Sequence, residues 1–146
     1  MPRYQTQLRS PWTSERAFAY LADLKHFVEW DPGTLRSEHV RSTDPRAVPV
    51  YDVTVSTGGR ELTLCYEVVE RDPPRHLLLR AENAMLRLVD EITVADVRDG
   101  CVVTYDAALT LRGPLRLLDP LFARGFRRTV DRGAAGLRRV LEGVPA

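Results

Sequence analysis

Residues 101–140 read CVVTYDAALTLRGPLRLLDPLFARGFRRTVDRGAAGLRRV, and the spacing of apolar residues changes once within them. From Cys101 to Arg112 apolar residues fall on alternate positions, the period of a strand. Asp119-Pro120 then opens a helix, with Asp as the N-cap and Pro at the first helical position. Leu121, Phe122, Phe126, Val130, Ala134, Leu137 and Leu141 follow at spacings of three and four, which is one face of a long helix. The opposite face carries Arg124, Arg127, Arg128, Arg132, Arg138 and Arg139. Gly125, Gly133 and Gly136 each weaken such a helix by about 1 kcal/mol relative to Ala. Their presence predicts a close approach of the helix to a sheet or a ligand.

Upstream of Cys101 the signal is strand almost as far back as residue 34. Strands are predicted over Leu35 to Ser42, Val48 to Ser56, Arg60 to Arg71, His76 to Glu82 and Leu86 to Val97. Thr57-Gly58-Gly59 marks a hairpin, and Asp72-Pro73-Pro74, Glu82-Asn83 and Arg98-Asp99-Gly100 separate the later strands. Before them come a strand from Arg3 to Leu8, a helix from Ser14 to Asp23 and a short helix from Leu24 to Trp30. The last of these stops at Asp31-Pro32-Gly33, where Pro fixes φ and Gly permits positive φ.

The chain has 146 residues, 44% hydrophobic and 28% charged, with a formal net charge of +1. That length predicts one domain over 1–146, large enough to bury a core without disulfides or a structural metal. Near-balanced charge and ordinary apolar content argue against disorder and against duplex DNA as a partner. Of the 21 basic residues only Lys25 is not Arg, which reads first as the codon bias of a GC-rich bacterial genome. Cys65 and Cys101 are expected to be buried, reduced thiols. The start of the chain lacks the pattern of an export signal, and no apolar run reaches the ~18 residues of a spanning helix. A cytoplasmic protein without a transmembrane segment, monomeric or weakly dimeric, is the expectation.

The order strand, two short helices, six antiparallel strands and a long final helix resembles the α+β helix-grip fold of the START-like (SRPBCC) superfamily. Within it the chain is most similar to the branch of polyketide cyclases/dehydrases and lipid-transfer proteins. The resemblance is carried by residues 27–33 (FVEWDPG), 66–70 (YEVVE), 72–75 (DPPR), 90–94 (DEITV), 100–105 (GCVVTY) and 113–120. It implies a curved antiparallel sheet of about seven strands wrapped around the last helix, with an apolar cavity between them. Some members do chemistry there; others carry a lipid or a pigment.

His26, His39 and His76 are scattered, and neither cysteine has a CxxC partner, so no metal site is expected. No GxGxxG, Walker or GxSxG pattern is present, and no nucleotide cofactor is expected. The informative residues are polar ones on apolar strand faces. Asp90 alternates with Leu88, Ile92 and Val94: it is either a partly desolvated acid or base, or a carboxylate at a strand end or paired with Arg. Tyr51, Tyr66 and Tyr105 are either core phenols or hydroxyls presented to a ligand carbonyl. The resemblance places Trp30 at the pocket mouth; a staple between helices and sheet is its other reading. Phe122 and Phe126 with Leu64 and Leu88 complete the expected lining. The arginine face is solvated, or it meets anionic lipid or a partner.

Three functions follow as expectations. The first is binding of a hydrophobic, lipid- or polyketide-like small molecule in the cavity, without a cofactor. The second is a polyketide cyclase or dehydratase using Asp90, Tyr66 and Tyr105 in acid–base catalysis. The third is an interaction protein using the arginine face.

Overall fold

The computed structural model describes residues 3–41, 43–44, 46–57, 59–83 and 85–145. Seven strands run β1 (Arg3–Ser10), β2 (Thr34–Val40), β3 (Val50–Thr57), β4 (Arg60–Asp72), β5 (His76–Glu82), β6 (Leu86–Val97) and β7 (Gly100–Leu111), with a two-residue β8 (Val144–Pro145). They form one antiparallel sheet in the order β2-β3-β4-β5-β6-β7-β1-β8. Helices α1 (Ser14–Ala22) and α2 (Phe27–Trp30) lie between β1 and β2, and α3 (Asp119–Val140) follows β7. This is the helix-grip order anticipated above.

Boundaries differ from the sequence reading where a local group competes. The α1 helix stops at Ala22 because Asp23 is extended and its carboxylate accepts from the Lys25 amide at 3.2 Å, starting a separate 3-10 turn over Leu24–His26. The predicted helix from Leu24 to Trp30 is therefore a 3-10 turn running into α2. Strand β3 begins at Val50 rather than Val48, since Pro49 has no amide to donate and offers only its carbonyl, to the Val68 amide at 2.9 Å. Register shifts between Thr34 and Arg36 in β2, and between Val68 and Glu70 in β4, mark bulges that bend the sheet.

One face of the sheet is the core face. Val53, Leu64, Tyr66, Leu79, Ile92, Val94, Val103 and Tyr105 are all buried on it, together with Phe18 and Leu21 of α1 and Leu137 of α3. The C-terminal half of α3 is tied down from three sides. Ser10 Oγ donates to the Leu141 carbonyl at 2.6 Å, Arg138 donates to Thr6 Oγ1 at 3.1 Å, and Arg139 to the Glu29 carbonyl at 3.4 Å. The glycines explain how α3 gets so close. A Cβ on Gly136 would overlap the Trp30 carbonyl oxygen, and one on Gly133 would lie 3.4 Å from the Trp30 ring. The body approached is thus α2, neither sheet nor ligand. Gly125 departs from the expectation, with open space around its Cα.

The two cysteines also part company. Cys101 is buried, but Cys65 is exposed, because the alternation that sends Leu64 and Tyr66 inward sends Cys65 out beside Asp52. Both thiols are free. Alkylation of the native protein without reductant should therefore modify one thiol, slowly, since burial and the Asp52 and Glu67 carboxylates raise the Cys65 pKa. A second adduct should follow only on unfolding. Two adducts on the native protein, or none after unfolding, would contradict this arrangement.

Candidate functional site

Between the sheet and α3 lies a cavity of about 780 Å³, inside the ~300–1,000 Å³ range of small-molecule pockets. Its walls come from β3 (Val53, Val55), β4 (Leu62, Leu64, Tyr66), β6 (Leu86, Leu88, Asp90), β7 (Tyr105, Ala107, Leu109, Leu111) and α3 from Gly125 to Leu137. Burial grades along it. Leu64, Tyr66, Asp90, Tyr105 and Ala134 are buried at one end, whereas Val55, Leu62, Leu86, Phe126 and Val130 are only half-buried. The cavity therefore opens toward the β3–β4 and β5–β6 hairpins and the N-terminal half of α3. From Asp90 to Leu86 along β6 is roughly 13 Å at ~3.3 Å per residue.

The buried polar groups Asp90, Tyr66 and Tyr105 gather at the closed end. Asp90 is 4% exposed, and its Oδ2 accepts a 2.8 Å hydrogen bond from the Tyr105 hydroxyl. Burial pushes the Asp90 carboxyl up to about 7, helped by the negative charges of Asp31 and Asp106 and opposed by the Tyr105 hydrogen bond. The Tyr105 and Tyr66 hydroxyls are driven well above their ordinary pKa, by burial first and then by the nearby carboxylates, so both remain protonated donors. Tyr105 spends its proton on Asp90. The Tyr66 hydroxyl has no hydrogen-bond partner among the described residues. Asp31 lines the same cavity from the turn after α2, accepting from the Gly33 amide and Thr34 Oγ1, both at 3.0 Å. Burial raises its pKa too, against those two hydrogen bonds.

Of the residues singled out from sequence, Trp30, Leu64, Tyr66, Leu88, Asp90, Tyr105 and Phe126 line this cavity. Trp30 does so at the closed end and not at the mouth. It is 4% exposed, packed edge-on to Phe27 and Tyr105 at 5.0 and 6.0 Å, and held under Gly133 and Gly136. Tyr51 stands apart. It shares the inner face of β3 with Val53 and Val55 but sits beyond them at the end covered by α1, where it lines a separate hollow of about 210 Å³ with Asp23 and Arg71. The side chain of Phe122 lies outside the described residues. The histidines have local partners: His26 stacks on Tyr20 at 4.1 Å, His39 meets Tyr51 at 5.0 Å, and His76 lies between Glu70 and Glu91. Sequence reasoning missed Asp31, Arg128 and Arg132 as lining residues.

Phe126 is half-buried on the wall of an open cavity, so it lacks the enclosure of a packed core side chain. Phe126→Ala should cost about 1 kcal/mol in urea denaturation, well short of the ~3–5 kcal/mol of a dry core. A loss of that larger size would mean that α3 closes tightly on the sheet.

Sequence and fold comparisons place this geometry. The model of the family described as polyketide cyclase / dehydrase and lipid transport matches residues 1–142. The chain belongs to this family. Its fold is that of a START superfamily protein from Mycobacterium smegmatis, with a TM-score of 0.77 at 12% identity, covering 96% of this chain and 97% of the other. The Zhui aromatase/cyclase from a Streptomyces species is similar at a TM-score of 0.73 and 15% identity, over 96% and 91% of the two chains. The di-domain aromatase/cyclase StfQ from the steffimycin biosynthetic pathway gives 0.73 at 16% identity, with 95% of this chain covering 48% of that one. This family member thus spans about half of the two-domain enzyme. None of the curated proteins matches its sequence. Among its described residues no helix is long and apolar enough to cross a membrane.

Proposed function

We propose that the protein binds a hydrophobic, lipid- or polyketide-like small molecule bearing a carbonyl or hydroxyl group, in the cavity between sheet and α3. The observation that carries this reading is a roughly 780 Å³ space lined mostly by apolar side chains, with the Asp90, Tyr66 and Tyr105 groups clustered on one wall. An apolar body with a few placed polar atoms is how small-molecule sites are commonly built. The free Tyr66 hydroxyl supplies a donor for a ligand oxygen, and Asp90 supplies either a donor or an acceptor depending on its protonation. Native mass spectrometry of the purified protein should find a bound small molecule. Titration with long-chain ketones should change the emission of Trp30, read in a Trp12→Phe background. No adduct, together with unmoved emission up to the solubility limit of the ketones, would overturn the reading.

A second reading is favoured by the Asp90 carboxyl at about 7. An acid or base with a pKa near the working pH is the efficient kind. In a cyclase or dehydratase, ionised Asp90 would take a proton α to a carbonyl, and the Tyr66 hydroxyl would donate to the developing enolate oxygen. Tyr105 would hold the carboxyl in place, a positioning role, because its hydroxyl already donates its hydrogen bond to Asp90. Turnover of a poly-β-carbonyl substrate would then rise as pH passes through about 7.

A further inference from the structure

The charged residues that line the cavity divide by sign. Asp31 and Asp90 belong to its wall near Trp30 and Tyr105, and Arg128 and Arg132 belong to α3. Four residues apart on a helix, the two arginines lie one turn from each other on one face. Both are exposed, and neither has an ion-pair or hydrogen-bond partner among the described residues. Other basic residues of α3 are differently placed. Arg138 and Arg139 are tied to Thr6 and the Glu29 carbonyl, and Arg124 and Arg127 do not line the cavity. The nearby acid Asp131 lies by the Tyr4 hydroxyl of β1, whose pKa is raised by burial first and then by Asp131.

We infer that the ligand is an anionic amphiphile, whose carboxylate or phosphate head rests between Arg128 and Arg132 at the mouth while its apolar body fills the cavity. This rests on the cavity being a ligand site, and it adds the polarity and orientation of the molecule held there. Two physical effects set the orientation. Guanidinium forks match carboxylate and phosphate oxygens. The closed end, with the buried Asp90 carboxyl, the half-buried Asp31 carboxyl and two phenols, repels a second negative charge and accepts only a neutral oxygen. An anion entering head-first would meet Asp90; one entering tail-first leaves its charge at the arginines.

The test compares decanoate, decyl phosphate and 1-decanol by calorimetry on the full chain, in wild type, Arg128→Gln/Arg132→Gln and Arg124→Gln/Arg127→Gln. Wild type should prefer at least one anion over the alcohol by about tenfold, the size of a charge-assisted contact. Which anion wins separates a carboxylate head from a phosphate head. The preference should shrink at high salt, as exposed charges are screened. It should collapse toward one in the 128/132 variant and persist in the 124/127 variant. Equal binding of anion and alcohol by wild type would overturn the inference and leave the cavity reading standing. Equal loss in both variants would also overturn it, since the general charge of the helix would then be responsible. Binding of none of the three ligands would count against the cavity reading itself.

Discussion

Asp90→Asn is expected to stabilise the protein by about 2–4 kcal/mol near pH 8 while changing little near pH 4. Asp90 is buried and its carboxyl titrates at about 7 in the folded chain, against about 3.9 in an unfolded one. Below both values the two states carry the same proton and the residue is neutral toward stability. As pH rises through that window the unfolded chain releases the proton first, so folding becomes less favourable, and above about 7 the full penalty stands. Asparagine cannot ionise, and its carbonyl oxygen can still accept from Tyr105. Urea melts at several pH values should show the wild type weakening from acid to alkaline pH and the variant nearly flat. A wild type whose stability is constant over that range, or a variant weaker at pH 8, would place Asp90 in contact with water. The same variant tests the catalytic reading, because it should abolish any turnover of a poly-β-carbonyl substrate while retaining its binding.

Gly136→Ala is the second large effect, in the opposite direction. The added carbon would overlap the Trp30 carbonyl oxygen and lie 2.8 Å from its carbonyl carbon. These are backbone atoms and cannot rotate aside, so α3 must lift off α2. The cost should be about 3 kcal/mol, at the upper end of overpacking. Gly125→Ala on the same helix meets nothing within 4 Å, and should gain roughly 0.5–1 kcal/mol from helix propensity. Comparing the two in thermal melts separates packing from propensity. A Gly136→Ala protein as stable as wild type would show that α3 does not seat on Trp30.

The sheet and the long helix were legible because each rests on periodicity over ten or more residues. Alternation along β6 was enough to give Asp90 an inward direction, and the apolar stripe of α3 gave Phe126 its face. Position along an element was harder to read. Alternation gives Tyr51 the same face as Val53, yet which end of β3 the cavity occupies depends on where α1 lands. Asp31 was illegible for a different reason: it sits in a turn, where no period assigns a face, and only the packing of α3 over α2 encloses it. Arg128 and Arg132 looked like four other arginines on the helix, and only their place on the cavity lining separates them. Cys65 was misjudged because its apolar neighbours suggested burial, although β4 alternates around it.

The sheet order has one more consequence, for how molecules of this protein meet each other. A sheet that grips a helix without closing into a barrel keeps two free rims, and such rims can template strand pairing between chains. Here β2 forms one rim with seven residues, a broken register at Thr34/Arg36, and the charged Arg36 and Glu38. On the other rim β8 covers only Leu8 and Arg9 of β1, one of its two residues being Pro145, which has no amide hydrogen to offer. The rest of that rim is the short stretch Arg3–Gln7 of β1, beside α3. Neither presents a long, regular ladder of free amides to a neighbour. The sheet can therefore stay open around its cavity at little risk of rim-to-rim aggregation.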